Sequence, residues 1–523
     1  MDFLIHHLLR SSAERLPAKE ALVHGAQRLS YQELATSTSG LAAGLRGAGL
    51  IRGDRIGIYV EASVPQVLSI FAVSQAGGAF VPINAQLFPE QVAHIAKDCG
   101  MKGLITTRTK LASLGPRLSE IPSLEFLVIT GDDNALDVTL PVYRLEQMCA
   151  LPAPAAWPEP SISKDLAAIL YTSGSTGKPK GVMLSHANVI AGSSIVSTYL
   201  AISATERILA VLPFSFDAGL NQLITAFQQG GTVVLINFAF AREIVQVLLK
   251  ERITGLAGVP TVWSLLAQPN STLQKQPLPD LRYITNTGGA MPQAVLALLR
   301  KALPTTKAFL MYGLTEAFRS TYLPPEEVDR RPTSMGKAIP DTEILVINDR
   351  NELCKPGEVG ELVHRGPTVS MGYWGRPEDT DRALRPNPLL PKELGDCERV
   401  CYSGDLVKTD DEGFLYFIGR RDTMIKSSGF RISPTEVEEA LFQSGQLRQA
   451  AVIGIPDVVL GQSIKAFVVP REGVTTDTEQ LLASCAERVP RYMVPKAVEV
   501  LPELPKTTSG KVDYPALRRR EGL

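Results

Sequence analysis

The sequence predicts an α/β protein, with a large N-terminal domain of mostly parallel sheets covered by helices, a small β-barrel-like subdomain, and a small α+β C-terminal domain. Three observations lead there. Over the first 110 residues, apolar runs such as RIGIYVEA (Arg55 to Ala62) and AFVPIN (Ala79 to Asn84) alternate with helix-like stretches such as VPQVLSIFAVSQAGG, the pattern of strands and crossover helices in a covered parallel sheet. From about Ile344 the texture changes to short alternating runs with turns, EILVIND, GELVHRG and GFLYFIGR, which suit an antiparallel or barrel-like unit. Beyond about Arg420 a helix (SPTEVEEALFQ), two strands (AAVIGIPD, SIKAFVVP) and another helix (DTEQLLASCAERV) are enough for a separate domain.

Size agrees with this division. A chain of 523 residues, 45% apolar and 20% charged, is too long for one compact core, and two to four domains is the expectation. The expected boundaries are 1–420, with subdomains at about 1–160, 161–343 and 344–420, and then 421–523. The Pro-rich stretch LPAPAAWPEPSIS, Leu151 to Ser163, reads as the linker between the first two lobes. The middle subdomain continues the strand pattern through AAILYT, ERILAVLPFSF, TVVLIN, ITGLAGVP and RYITNTGG.

A formal charge of −1 supplies no global basic field, so neither nucleic acid nor an anionic membrane surface is an expected partner. The opening MDFLIHHLLRSSAERLP has no basic residue ahead of its short apolar run, and no stretch of about 18 apolar residues follows, so membrane insertion is not expected and a cytoplasmic location is. Six cysteines, at 99, 149, 354, 397, 401 and 485, are too few for a disulfide framework. Cys397 and Cys401 have a metal-like spacing, but no further pair or nearby histidine completes four ligands.

The segment most rich in chemistry is YTSGSTGKPKG, Tyr171 to Gly181, which follows the apolar strand AAILYT. Thr172, Ser173, Gly174, Ser175, Thr176, Gly177, Lys178 and Lys180 combine flexible backbone, hydroxyl donors and two cations without an acid. A phosphate chain suits that combination, and a flexible surface loop is the plain alternative. A Walker A loop is excluded, because position 172 is threonine where the first glycine should be and Pro179 follows Lys178 where a hydroxyl should be.

YTSGSTGKPKGV resembles the phosphate loop of the AMP-forming adenylating enzymes, the superfamily of acyl-CoA synthetases, peptide-synthetase adenylation domains and luciferases. Further stretches resemble the same family in the same order, from roughly Leu29 to Leu517. In MYGLTEA (Met311 to Ala317) the resemblance gives Tyr312 the adenine, Thr315 the α-phosphate and Glu316 a Mg²⁺ ion. In TNTGGA, Gly288, Gly289 and Ala290 would line adenine and acyl group. Asp405 in YSGDLVKTDDEGFLYFIGRRD would accept both ribose hydroxyls and Arg420 would add a donor. In PKTTSGKVDY, Lys511 would reach between the substrate carboxylate and the α-phosphate.

The implied reaction has two steps: a carboxylate and ATP give an acyl adenylate and pyrophosphate, and a thiol then displaces AMP. No dedicated nucleophile is needed, because the substrate carboxylate attacks. The resemblance makes the C-terminal domain mobile, hinged at Asp422, with Gly429 letting pantetheine pass close to backbone. ATP and Mg²⁺ are the implied cofactors, and the acceptor is CoA or the phosphopantetheine of a separate carrier protein. The chain ends at Leu523, shortly after Asp513, so a stand-alone enzyme without a fused carrier is the expectation. A non-catalytic relative with this fold would show loss of Lys511, Glu316 or Asp405; all three are present.

The acid itself is less legible. SFDAG, around Asp217, is more similar to amino-acid adenylation domains, where an aspartate pairs with the substrate ammonium, than to acyl-CoA or aryl-CoA ligases. Asp217 also precedes a helix-like run and would serve as its N-cap; the two roles are compatible. By the same match Ala218, Asn221, Thr285, Thr287, Met311, Arg319 and Ser320 line the acyl pocket. Arg319 would either complement an acidic substrate group or lie outside in a surface pair. An amino acid or amino-acid-like acid is the favoured substrate, with a fatty or aryl acid lacking the amino group as the alternative.

Overall fold

The computed structural model describes residues 2–131, 138–154, 159, 161–173, 179–394, 397–421, 423–427, 430–457, 460–474, 476–507 and 510–523. Two large sheets form the N-terminal part. In the first, a 7-stranded sheet, Val142–Arg144, Phe126–Thr130, Gly103–Thr107, Arg55–Tyr59, Ala79–Pro82 and Leu166–Ser173 lie side by side in parallel, and Pro179–Ser185 closes the edge antiparallel. The second is 14-stranded. Its parallel part runs Lys307–Tyr312, Tyr283–Asn286, Gly255–Gly258, Arg207–Ala210, Thr232–Leu235 and Glu20–His24.

The helix Val64–Ala76 shows how sequence dictates placement. VPQVLSIFAVSQA is mostly apolar and carries no charge, so nearly all of it can be buried. It packs Val67, Ile70 and Phe71 with Ile56 and Phe80 of the first sheet and Ile208 and Val233 of the second. Gly77 ends it at φ +94°, a left-handed conformation that glycine adopts without strain.

One expectation is corrected. The Pro-rich stretch joins two strands of one sheet, since Val142–Arg144 and Leu166–Ser173 both belong to the first sheet, while Glu20–His24 crosses to pair with Thr232–Leu235 of the second. Proline content marks a loop but says nothing about which sheet the next strand joins. Beyond Ile344 the strands are antiparallel, and Thr321–Leu323 and Ser334–Ala338 carry the second sheet on into Leu415–Arg420, Arg399–Thr409, Gly360–Arg365 and Glu343–Ile347.

The smaller C-terminal unit is a 5-stranded sheet centred on Leu447–Asp457 and Gly461–Pro470. The helices Pro434–Phe442 and Thr478–Ala486, capped by Ser433 and Asp477 through their side chains, cover it with Val437, Leu441 and Leu481 against Val452 and Ala466. No helix among the described residues is long and apolar enough to cross a membrane.

Candidate active site

In parallel sheets, ligands bind at the carboxyl ends of the strands, where the loops converge. Four such loops meet here. Asp217 lies beyond Arg207–Ala210, Val259 follows Gly255–Gly258, Thr287 and Gly288 follow Tyr283–Asn286, and Gly313 to Glu316 follow Lys307–Tyr312. Many residues singled out by sequence are on these four loops or on the antiparallel strands beside them.

The phosphate-loop candidates span the hairpin between Leu166–Ser173 and Pro179–Ser185, in which Thr172 stands opposite Lys180. Gly174, Ser175, Thr176, Gly177 and Lys178 lie outside the described residues, as do Asp422 and Gly429. Ser173 is described by its backbone alone. Lys180 pairs with Asp379 at 2.8 Å and lies over the Tyr373 ring.

Tyr312, Asp405 and Arg420, which lie far apart in sequence, come together. Asp405 and Arg420 face each other across the antiparallel ladder, with Arg420 Nε 3.1 Å from Asp405 Oδ1. The Tyr312 hydroxyl donates to the other oxygen, Oδ2. Burial first, and then the Asp405 charge, raise the Tyr312 phenol well above its ordinary value, so it remains a donor. Ser403 and Glu361 hold the turn: the Asp405 N–H donates to Ser403 Oγ at 3.0 Å and the Gly404 N–H to Glu361 Oε1 at 2.9 Å.

Glu316 is half-buried, and its Oε1 accepts a 2.6 Å hydrogen bond from the Tyr373 hydroxyl. Mg²⁺ is commonly bound by one or two carboxylates together with phosphate oxygens, so this donor set fits the ion. Thr315, also half-buried, precedes it. Tyr373, Asp379, Ser403 and Glu361 were not found by sequence reasoning. Tyr373 is 57 residues from Glu316, and nothing local to it signals that contact.

Lys511 comes from the C-terminal unit. Its backbone is held in a turn by Thr507, whose N–H donates to Lys511 O at 2.7 Å. The side chain extends across the domain boundary, with Nζ 5.8 Å from the centre of the Phe216 ring. Gly288, at φ +77°, makes room: a Cβ there would lie 3.3 Å from Lys511 Cε and 3.2 Å from Val259 Cγ1. Gly289 is exposed, with its carbonyl held by Asn286 Nδ2 at 2.8 Å, and Ala290 is exposed.

Asp217 begins the helix Asp217–Gln229 instead of capping it; the N-cap is Phe216, without a side-chain cap bond. Asp217 as a residue is 5% exposed, and its carboxylate makes no side-chain hydrogen bond or ion pair among the described residues. Ala218, Asn221, Thr285, Thr287 and Met311 are buried, and Asn221 Nδ2 has no partner among the described residues. Arg319 is not in a surface pair: it is 4% exposed, its Nη1 donates to Thr287 Oγ1 at 3.4 Å, and its Nε has no partner among the described residues. The Ser320 side chain is engaged elsewhere, with His364 Nδ1 at 3.0 Å.

His364 is fully buried, and burial pushes it down to about 3. Its folded value lies below the unfolded value of about 6.5, so its stabilising effect is present above pH ~6.5 and is lost as the pH falls toward ~3. His186, also pushed down to about 3 mainly by burial, acts in the same direction. Urea unfolding at pH 7 and pH 5 should differ by about 2 kcal/mol for each of these histidines. A His364→Asn variant should lose its share of that dependence; an unchanged slope would contradict the assignment.

The chain matches the model of the AMP-binding enzyme family over residues 9–374 and that of the AMP-binding enzyme C-terminal domain over 436–511. It is 35% identical over 518 residues to a feruloyl-CoA synthase of Amycolatopsis, covering 98% of this chain and 97% of that protein. Its fold is similar to the anthranilate CoA ligase AuaEII in complex with anthranoyl-AMP, with TM-score 0.87, 25% identity, and 99% and 97% of the two chains covered. ATP-bound MatB from Rhodopseudomonas palustris is similar to the same degree, with TM-score 0.87, 25% identity and 99% of both chains covered. With these matches spanning both units of the fold, the chain belongs to the AMP-binding enzyme family and is an ATP-dependent, AMP-forming acid–thiol ligase.

Proposed function

We propose that this ligase activates a carboxylic acid bearing an amino group near its carboxylate, an amino acid or amino-acid-like acid, and transfers the acyl group to the thiol of CoA or of a carrier protein's phosphopantetheine. The 174–178 loop, flanked by Thr172 and Lys180, takes the phosphate chain, Tyr312 takes adenine, and Asp405 with Arg420 takes ribose. Mg²⁺ held at Glu316 would neutralise phosphate charge. A substrate carboxylate oxygen attacks the α-phosphorus, the bond to the bridging oxygen breaks, and pyrophosphate leaves. Lys511 and Thr315 face the negative charge that builds there. The thiolate then attacks the acyl carbon and AMP departs with the oxygen the acid supplied. The unit from 421 onward is the part that turns between the steps, about Asp422, opening the way past Gly429.

Asp217 carries the substrate reading. A buried carboxylate that neither caps its helix nor meets a cation among the described residues is costly unless a bound cation compensates it, and an ammonium does so. Asp217→Asn should lower kcat/KM for amino acids by about 30-fold or more and leave matched acids without the amino group within about threefold. Steady-state kinetics on such pairs decides; equal losses for both members would sink the ammonium role. The feruloyl-CoA synthase similarity favours a second reading, a fatty or aryl acid lacking the amino group with CoA as acceptor.

A further inference from the structure

The pocket holds a second uncompensated charge, of the opposite sign. Arg319 is among the most deeply buried charged side chains of the described residues, and no described carboxylate lies within 4.0 Å of it, although Arg331, the other buried arginine among them, has carboxylate partners. Among the described residues its one side-chain hydrogen bond is the long one to Thr287, and Nε has no partner. Guanidinium groups are buried where a planar acceptor can take two of their N–H bonds, which carboxylates do.

The surroundings fix where that acceptor would lie. Thr287 is the residue before Gly288, whose open side meets Lys511, so the two cations flank a single turn. The contacts of Arg319 and of Lys511 thus fall on adjacent residues, whose Cα atoms are about 3.8 Å apart. Phe318, held at φ +53° with its ring fully buried, presses against Gly192, where a Cβ would come within 2.4 Å of the ring. Asn221 Nδ2, a second buried donor without a partner, lies 3.6 Å from that same Cβ position. Two buried donors without a partner among the described residues, one of them cationic, thus lie on either side of Phe318.

We propose that Arg319 is a specificity-determining residue, and that the acid this enzyme activates carries a second carboxylate a few carbons from the reacting one, seated on Arg319 with help from Asn221. The proposal rests on the ligase reading above and narrows its substrate class to short dicarboxylic acids. With Asp217 taking an ammonium, the fully complementary substrate is an amino dicarboxylic acid; Arg319 makes its demand whether or not the amino group is present.

The test is acid-dependent exchange of labelled pyrophosphate into ATP by the full chain, run on matched sets of four to seven carbons. In the five-carbon set the acids are pentanoate, norvaline, glutarate, glutamate and glutamine. Wild type should prefer the members with a distal carboxylate over their methyl or amide counterparts by about tenfold or more in kcat/KM. Arg319→Gln should erase or invert that preference, and Arg319→Lys should retain part of it. A variant damaged in folding would lose all acids alike, whereas an inverted preference requires a working enzyme. Exchange with acids lacking the second carboxylate at equal or greater efficiency in wild type would overturn the proposal while leaving the ligase reading intact. So would an Arg319→Gln change confined to the KM for ATP, which would assign the guanidinium to the nucleotide. Exchange with no acid at all would overturn both.

Discussion

Lys511→Ala should reduce pyrophosphate exchange by about 100- to 1000-fold while the enzyme stays folded and still binds ATP. Lys511 is exposed, its turn is built by backbone bonds to Thr507, and its side chain supports no core, so truncation costs little stability. Its Nζ is brought beside Phe216 and the open face of Gly288, at the junction where the four strand-end loops meet. A cation placed where charge builds on the α-phosphate is worth that much in a water-poor site, whereas a solvated surface lysine is worth nothing. The same variant, supplied with ready-made acyl adenylate and thiol, should complete the second step at close to the wild-type rate, because that step is assigned to the other orientation of the C-terminal unit. Equal loss in both steps would show that Lys511 holds the domains together and does not act on the phosphate.

Asp405→Asn should raise the KM for ATP by about 30-fold, leaving the KM for the acid nearly unchanged. The carboxylate is shared by the Tyr312 hydroxyl and Arg420, which fix it at the mouth of the antiparallel ladder. Asparagine keeps the shape but replaces one acceptor oxygen with a donor, and hydrogen bonds to a charged acceptor are worth about 1.5–3 kcal/mol each. A parallel rise in both KM values, or a large fall in Tm, would assign Asp405 to the scaffold. Initial rates at varied ATP and varied acid separate these outcomes.

Both residues were singled out because their short segments, PKTTSGKVDY and YSGD, resemble the family's motifs; taken alone, Lys511 reads as a surface lysine and Asp405 as part of a turn. The C-terminal helices were visible for a local reason: Ser433 and Asp477 are cap residues placed directly before apolar runs. What was hidden is long-range. Tyr373 gripping Glu316, Asp379 pairing with Lys180 and Glu361 pinning Gly404 join residues that no local spacing relates. The crossing of Glu20–His24 into the second sheet was hidden for the same reason, since strand propensity carries no information about the partner strand. Asp217 shows the converse error. A residue type suited to capping stands at the right place, yet the helix starts at Asp217 itself and the carboxylate is buried with no bond to the first turn. Arg319 likewise has the composition of a surface residue and the burial of a core one.

The central claim is that this chain makes an acyl adenylate from ATP and a carboxylic acid. The most direct measurement is acid-dependent exchange of labelled pyrophosphate into ATP by the wild-type chain, across amino acids, dicarboxylic acids, fatty acids and aryl acids. Exchange that requires an acid, with AMP as the nucleotide released when a thiol is added, is the predicted result. ATP turnover to ADP and phosphate, or no exchange with any acid of the panel, would contradict it.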